Sequence, residues 1–233
     1  MYHIYLNIGG ESNEKNFFAA LFSVLLVAGL FGGGLTTSAD TSESYIPQEK
    51  NDSDVKEEKE KYKKELSNLT KDEIISYFKK IDEEYEIGEA FSLKDQTFIE
   101  MYAKPVNHSD IILNKSKSIN KKRTVNGITI TVKGTIYDDI QNFMNQSFGA
   151  NNLKTRTTAG SSKVNSVTTR VYHNAYGLVG SSGVGKVYSG NIKATGKNNT
   201  INSRKRYTGI VAYASTWYEV TVKHTGGTFT VSE

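Results

Sequence analysis

The sequence predicts a mainly β protein, in which an N-terminal signal helix and a short α-helical region precede a C-terminal antiparallel β-sandwich. Two observations lead to this prediction. Residues 118–233 contain several runs rich in Thr, Val and Tyr, separated by turns that contain Gly. Residues 70–104 instead have apolar side chains three and four positions apart, which is the spacing of one face of a helix.

The composition narrows the possible classes of protein. Of the 233 residues, 37% are hydrophobic, 11% are aromatic and 23% are charged, and the formal net charge is +4. These values exclude a collagen-like chain and a wholly disordered one. The chain contains no Cys, which excludes disulfide bonds, thiolate zinc sites and iron–sulfur clusters. We expect no cofactor.

Residues 1–39 are expected to be an export signal. Phe17 to Leu35 is an uncharged apolar run, and the small residues Thr37, Ser38 and Ala39 follow it, as before a signal-peptidase site. The alternative is an uncleaved membrane anchor, because about 20 apolar residues span a bilayer. Both interpretations predict a secreted or surface protein, and an exported chain without Cys favours a Gram-positive bacterium.

The remaining chain divides by charge into a polar linker at residues 40–53, an acidic helical region at 54–104 and a basic β domain at 105–233. Residues 49–104 carry 16 acidic and 11 basic side chains. Residues 105–233 carry 17 basic and 5 acidic ones. Such an asymmetry indicates the charge of the partners rather than the fold.

Helix signals are strong between residues 70 and 104. Thr70 and Glu73 form a capping box, in which each side chain can bind the backbone amide of the other residue. A second helix is predicted to begin at Ser92 and to end before Pro105. The expected apolar faces are Ile74, Phe78, Ile81 and Tyr85 in the first helix, and Phe98, Ile99 and Tyr102 in the second. The more charged segment around 55–69 predicts a solvated helix or a partly disordered stalk rather than a coiled coil, because two heptads are too few for a coiled coil.

The β domain is predicted from alternation and turn residues. Ile128, Ile130 and Val132 alternate with polar residues, and Asn126-Gly127 before them favours a hairpin turn. Asp138 to Phe148 is expected to be a short helix or a loop between sheets. The further expected strands are Val167–Val179, Val187–Thr195, Tyr207–Ala214, Trp217–His224 and Thr228–Val231.

Candidate catalytic motifs are weak. Gly180 to Lys186 has the spacing of a phosphate-binding loop, but Val187 stands where such a loop has Ser or Thr, so a Gly-rich turn between strands is expected. His173 is interpreted as a partly buried or surface strand residue. Asp138 and Asp139 are interpreted as a turn or helix start, because neighbours on a strand point to opposite faces. The chain is therefore expected not to be an enzyme.

The basic half suggests a binding function. Two cationic clusters and one aromatic residue are the predicted polyanion-binding residues: Lys121, Lys122, Arg123, Arg204, Lys205, Arg206 and Trp217. Lys and Arg suit phosphate groups, and aromatic faces stack on sugar rings. The expected partner is an anionic cell-wall polymer or a membrane surface. Nucleic acid fits the charge but not the export signal.

Two other functions remain open at this point. A secreted antimicrobial or toxin-like effector would use its acidic helical segment to neutralise the basic domain. A hydrolase of wall polymers would need a nucleophile or metal set, and none is recognisable in the sequence. The alternative to any binding function is that the cations only keep a β-sandwich soluble and its edges unpaired. The sequence does not define the oligomeric state.

Overall fold

The computed structural model describes residues 52–106, 113–140, 145–180 and 183–232. The expected signal, residues 1–39, and nearly all of the expected linker lie outside these residues. Residues 49–233 form one compact unit, so the helices and the strands belong to the same body.

In the described residues, three helices precede the sheets: α1 (Asp52–Leu66), α2 (Lys71–Glu84) and α3 (Leu93–Tyr102). The predicted capping box of α2 is confirmed, because the amide of Thr70 donates to Glu73 at 2.8 Å and the amide of Glu73 donates to the hydroxyl of Thr70 at 3.3 Å. The hydroxyl of Ser92 caps α3 by accepting a hydrogen bond from the amide of Asp95, whereas the amide of Ser92 donates to the hydroxyl of Tyr85.

Within the part of the chain that the structure describes, nine strands form two antiparallel sheets, which confirms the predicted mainly β architecture. Sheet A has the order β1-β8-β5-β6, and β9 also pairs with β8. Sheet B has the order β2-β3-β4-β7. The strands are β1 (Lys104–Pro105), β2 (Leu113–Val125), β3 (Ile128–Ile140), β4 (Gln146–Ala159), β5 (Val164–Leu178), β6 (Val184–Thr195), β7 (Asn198–Tyr207), β8 (Tyr213–His224) and β9 (Gly227–Ser232).

The main core lies between the two sheets. Alternate residues of each strand point inward, which buries apolar side chains such as Ile130 and Val132 from sheet B and Val171 and Val220 from sheet A. The Asn126-Gly127 turn is confirmed, with φ angles of 52° and 77°. It aligns β2 and β3 so that Val125 pairs with Ile128.

The helices cover the other face of sheet A. Phe78 and Ile81 of α2, together with Phe98 of α3, form a second apolar cluster with Tyr176 of β5 and Trp217 of β8. Phe78 stacks on the Trp217 indole with ring centroids 5.8 Å apart. The described residues therefore form three layers: helices, sheet A and sheet B. Within the described chain, no helix packs on the outer face of sheet B.

Two sequence predictions about strands are wrong. The expected strand Tyr207–Ala214 is the end of β7, a connection that passes from sheet B to sheet A, and the start of β8. The expected helix or crossing loop at Asp138–Phe148 contains the paired ends of β3 and β4 in one sheet, where Asp138 lies opposite Phe148. Its central residues, 141–144, lie outside the described residues.

Candidate polyanion-binding face

The two predicted cationic clusters lie on opposite edges of sheet B. Lys121, Lys122 and Arg123 belong to β2, whereas Arg204, Lys205 and Arg206 belong to β7, and all six side chains are exposed. The strands β3 and β4 separate these edges. At about 4.8 Å between neighbouring strands, the clusters are about 14 Å apart across the sheet alone, so they do not form one patch.

Strand alternation also divides each cluster between two faces. Lys121 and Arg123 pair with the inward residues Val132 and Ile130, whereas Lys122 pairs with the outward Thr131. Arg123 reaches across to sheet A and donates a 2.6 Å hydrogen bond to the carbonyl oxygen of Thr230. It therefore joins the edges of the two sheets.

The β7 cluster divides in the same way. Arg204 and Arg206 pair with Gly149 and Ser147 on the outer face, and Lys205 pairs with the inward Phe148. Only the two arginines therefore belong to the outer face of the sheet.

Trp217 does not join either cluster. It is 4% exposed and lies on the helix-covered face of sheet A, where its indole stacks on Tyr172 at 5.2 Å. The sequence grouped it with the cations because it lies in a basic segment. The helical layer buries it, since a large aromatic residue at a sheet–helix interface removes much apolar surface from water.

The register of sheet B places a larger set of cations on its outer face, spread over all four strands. We call this set the cationic face; it consists of Lys122 of β2, Lys133 of β3, Lys154 and Arg156 of β4, and Arg204 and Arg206 of β7. The other outward residues of the described strands are mostly Thr, Ser and Asn. Asp139 is the only carboxylate among them.

The centre of the cationic face is a pair of like charges. Lys133 of β3 lies directly opposite Lys154 of β4, and both side chains are exposed. Asn120 and Thr200 are their neighbours on the outer strands, so no carboxylate flanks them in that row. Like charges directly opposite each other on a sheet are destabilising, and a bound anion would remove this cost.

Arg156 and Arg204 are held in place by their surroundings. Arg156 donates from Nη1 to the carbonyl oxygens of Thr155 at 3.0 Å and Asn199 at 2.8 Å. The guanidinium of Arg204 lies 5.5 Å from the centre of the Tyr137 ring, and its Nε donates to the Tyr137 hydroxyl at 3.3 Å. These contacts orient the planar groups while each keeps donors for an anion.

Sequence reasoning missed Lys133, Lys154 and Arg156. Lys133 was placed among the outward residues of its strand, but its partner across the sheet lies on a strand that the sequence did not predict. When residues 146–159 are identified as a strand, the two-residue spacing of Lys154 and Arg156 places both side chains on the same face of the sheet.

A buried polar chain connects the two sheets. The hydroxyl of Tyr207 lies 2.7 Å from Nε2 of His173, Nδ1 of His173 lies 2.7 Å from the hydroxyl of Thr216, and that hydroxyl donates to Asp138 at 3.0 Å. Burial lowers the pKa of His173 to about 3, so the ring is neutral. A neutral ring with Nδ1–H donating to Thr216 and Nε2 accepting from Tyr207 satisfies every group.

The positions of these residues correct two interpretations made from the sequence. His173 is fully buried rather than partly buried or on the surface, with 0% exposure. Asp138 and Asp139 lie within β3 rather than in a turn or helix start, and both are buried. They do point to opposite faces: Asp138 points inward to Thr216, whereas Asp139 belongs to the outer face. This series of buried hydrogen bonds fixes the two sheets to each other.

The Gly-rich segment is confirmed as a connection between strands in its described part. It joins β5 to β6, and the amide of Val179 donates to the carbonyl oxygen of Gly183 at 3.0 Å. A strand rather than a helix follows. Lys186 lies within this strand and is buried.

No group of three or more His, Asp or Glu side chains in the described residues is arranged to hold a metal ion. Over the same residues, no helix is both long and apolar enough to cross a bilayer. The comparisons with protein-family models, curated proteins and solved structures find no match to this chain.

Proposed function

We propose that this protein binds an anionic polymer of the bacterial cell envelope through the cationic face of sheet B, without catalysis. The observation that supports it best is the pair Lys133 and Lys154, two exposed ammonium groups opposite each other with no carboxylate in their row. A repeating phosphate chain would neutralise this row and the flanking arginines together. Thr and Asn side chains between the cations can donate hydrogen bonds to polymer hydroxyl groups.

The geometry suits an extended ligand rather than a small one. Cations on alternate residues of a strand are about 6.8 Å apart, and the face extends over four strands. A polyanion that crosses the sheet would contact several cations, and its binding would release counterions. Affinity should therefore fall steeply as salt concentration rises.

The test is cosedimentation of the purified chain with isolated Gram-positive cell walls at low and high salt. We expect pelleting at low salt that is lost at high salt. The double charge reversal Lys133→Glu/Lys154→Glu should abolish pelleting at low salt. The matched control Lys193→Glu/Lys223→Glu makes the same charge change at exposed residues of sheet A and should retain most of the binding.

Three results would contradict the proposal. These are pelleting that is insensitive to salt, pelleting that survives the reversal at Lys133 and Lys154, and no pelleting at any salt concentration. The control variant separates a specific face from a general effect of net charge.

The toxin-like alternative depends on contacts between the acidic helices and the basic strands. In the described residues, two ion pairs cross this boundary: Lys186 with Asp82 at 3.5 Å, and Lys79 with Glu219. Neither involves the cationic face. No contact of the described residues therefore favours an acidic segment that neutralises this face, and that function stays a prediction.

A further inference from the structure

A second group of cations lines a cleft between the helices, sheet A and the edge strand β2 of sheet B. The cleft has a volume of about 210 Å³. Its walls come from the start of α2, the end of α3, and strands β1, β2 and β8. Phe78 and Trp217 form a buried aromatic surface in it, and Tyr102 adds a half-buried ring.

Three lysines from three different elements line this cleft. Lys71 is the first residue of α2, Lys104 belongs to β1 and Lys117 to β2, and all three are exposed. Among the described residues that line the cleft, none is acidic. Burial and the nearby ammonium groups of Lys104 and Lys71 lower the pKa of Lys117. The three charges are therefore close enough to repel one another.

The wall of the cleft contains an unsatisfied donor. Nε1 of Trp217 is buried and has no hydrogen-bond partner in the described part of the chain. A buried N–H without a partner is costly and rare in a folded protein.

We propose that this cleft binds a phosphate ester whose body is a small polyol or sugar. Three ammonium groups converging from separate elements suit a compact, multiply charged anion, whereas a planar carboxylate is better matched by an Arg fork. The aromatic wall suits the C–H surface of a polyol or sugar. The site shares no residue with the cationic face, so it is independent of the envelope-binding function.

The fluorescence of Trp217 tests this directly, because the chain has a single Trp and it lines the cleft. The full chain is titrated with glycerol 3-phosphate, with inorganic phosphate and with glycerol, at constant ionic strength kept with sodium chloride. We expect a saturable change with glycerol 3-phosphate, a weaker one with inorganic phosphate, and none with glycerol. An equal change with glycerol would overturn the proposal, and so would the absence of a change with both the soluble phosphates and the phosphatidylglycerol vesicles described below.

Substitutions of the cleft lysines test whether the fluorescence change depends on them. Lys71→Met and Lys104→Met should each weaken binding of glycerol 3-phosphate about tenfold or more, since each removes a charge-assisted contact. Lys193→Met is the matched control and should leave the titration unchanged. Both cleft lysines are exposed, so we expect the variants to fold, and urea unfolding verifies it. Unchanged affinity in both folded variants would contradict the assignment.

Two further arms identify the source of the phosphate and separate the two proposals. Phosphatidylglycerol vesicles are compared with phosphatidylcholine vesicles. A fluorescence change with phosphatidylglycerol but not with phosphatidylcholine assigns a lipid headgroup. A fluorescence change with soluble glycerol 3-phosphate but with neither kind of vesicle assigns a free or polymer-derived ester. If neither vesicles nor soluble esters change the fluorescence, the cleft proposal is wrong. Lys133→Glu/Lys154→Glu should retain the fluorescence response, so wall binding and cleft binding can fail separately.

Discussion

The ammonium group of Lys186, on β6, donates a 2.7 Å hydrogen bond to the backbone carbonyl oxygen of Asp82 in the last turn of α2. Its Nζ also lies 3.5 Å from Oδ1 of the Asp82 side chain. The last carbonyl groups of a helix lack hydrogen-bond partners within the helix and carry partial negative charge. An ammonium group there donates a hydrogen bond to a free carbonyl oxygen and also offsets the negative charge. The lysine of the sequence that resembles a phosphate-binding loop therefore holds α2 on sheet A.

Replacing this lysine should destabilise the fold. Lys186→Met keeps the apolar stem but leaves the carbonyl and carboxylate of Asp82 without their cation. We expect the free energy of unfolding to fall by about 1–3 kcal/mol. Urea denaturation measures it, with Lys193→Met, an exposed lysine on the same strand, as the control that should change little. Equal effects of the two substitutions would contradict the structural role of Lys186.

Lys133→Glu should separate stability from binding. The substitution converts the like-charge pair with Lys154 into an opposite-charge pair, which stabilises a sheet by about 0.2–1 kcal/mol. The same change should weaken binding to isolated walls and make its salt dependence less steep, because fewer counterions are released. Thermal unfolding and cosedimentation are measured on the same preparation. A variant that is less stable and still binds fully would contradict both expectations.

Short-range signals predicted parts of this fold well. The capping box of Thr70 and Glu73 and the turn at Asn126-Gly127 depend only on residues that are adjacent along the chain, and both are present. The helices were also predicted, because their apolar spacing is dense. The surface on which the helices pack was not predictable, since contacts between α2 and sheet A join residues far apart in sequence.

Besides the two-residue β1, three strands escaped sequence prediction for physical reasons. β2 and β7 are edge strands of sheet B, rich in Lys, Arg and Asn, and such residues protect an edge from pairing with another chain. Their composition therefore hides the strand. In β4 the register shifts between Ala150 and Leu153, which interrupts the alternation, and Asn152 there has a φ of 47°.

The candidate site was predictable in charge but not in arrangement. Runs such as Arg204-Lys205-Arg206 look like clusters in sequence, yet a strand sends alternate side chains to opposite faces. The pair of Lys133 and Lys154 shows the converse, because only the register of β3 and β4 makes them neighbours.

Asp95→Asn should destabilise the helical layer. Burial alone would raise the pKa of Asp95, but the hydroxyl groups of Ser92, Tyr85 and Tyr77 donate to its carboxylate at 2.6, 2.7 and 2.8 Å and hold the pKa below the ordinary 3.8. The amide has one acceptor oxygen in place of two, so we expect a loss of about 1–3 kcal/mol at neutral pH.

Urea denaturation at several pH values checks this, with exposed Glu83→Gln as the control. A group whose folded pKa is depressed stabilises the fold above its unfolded pKa and loses this contribution as the pH falls through the folded pKa. The difference between the native chain and Asp95→Asn should therefore be largest above pH 3.8 and should shrink below it. A difference that does not depend on pH would exclude a role for the charge of Asp95.

Acid should destabilise the protein through His173. Because burial lowers the pKa of His173 from 6.5 to about 3, an unfolded chain binds a proton between these values and the folded chain does not. Stability from this group is therefore lost as the pH falls from about 6.5, by at most about 1.4 kcal/mol per pH unit.

In His173→Gln, which can still accept from Tyr207 and donate to Thr216, we expect lower stability at pH 7 but a shallower fall toward pH 4. The titratable groups Asp138, Tyr207 and Tyr188 around this position are common to both proteins, so the difference between their urea-unfolding profiles isolates the histidine. Parallel profiles would contradict the buried, neutral state of His173.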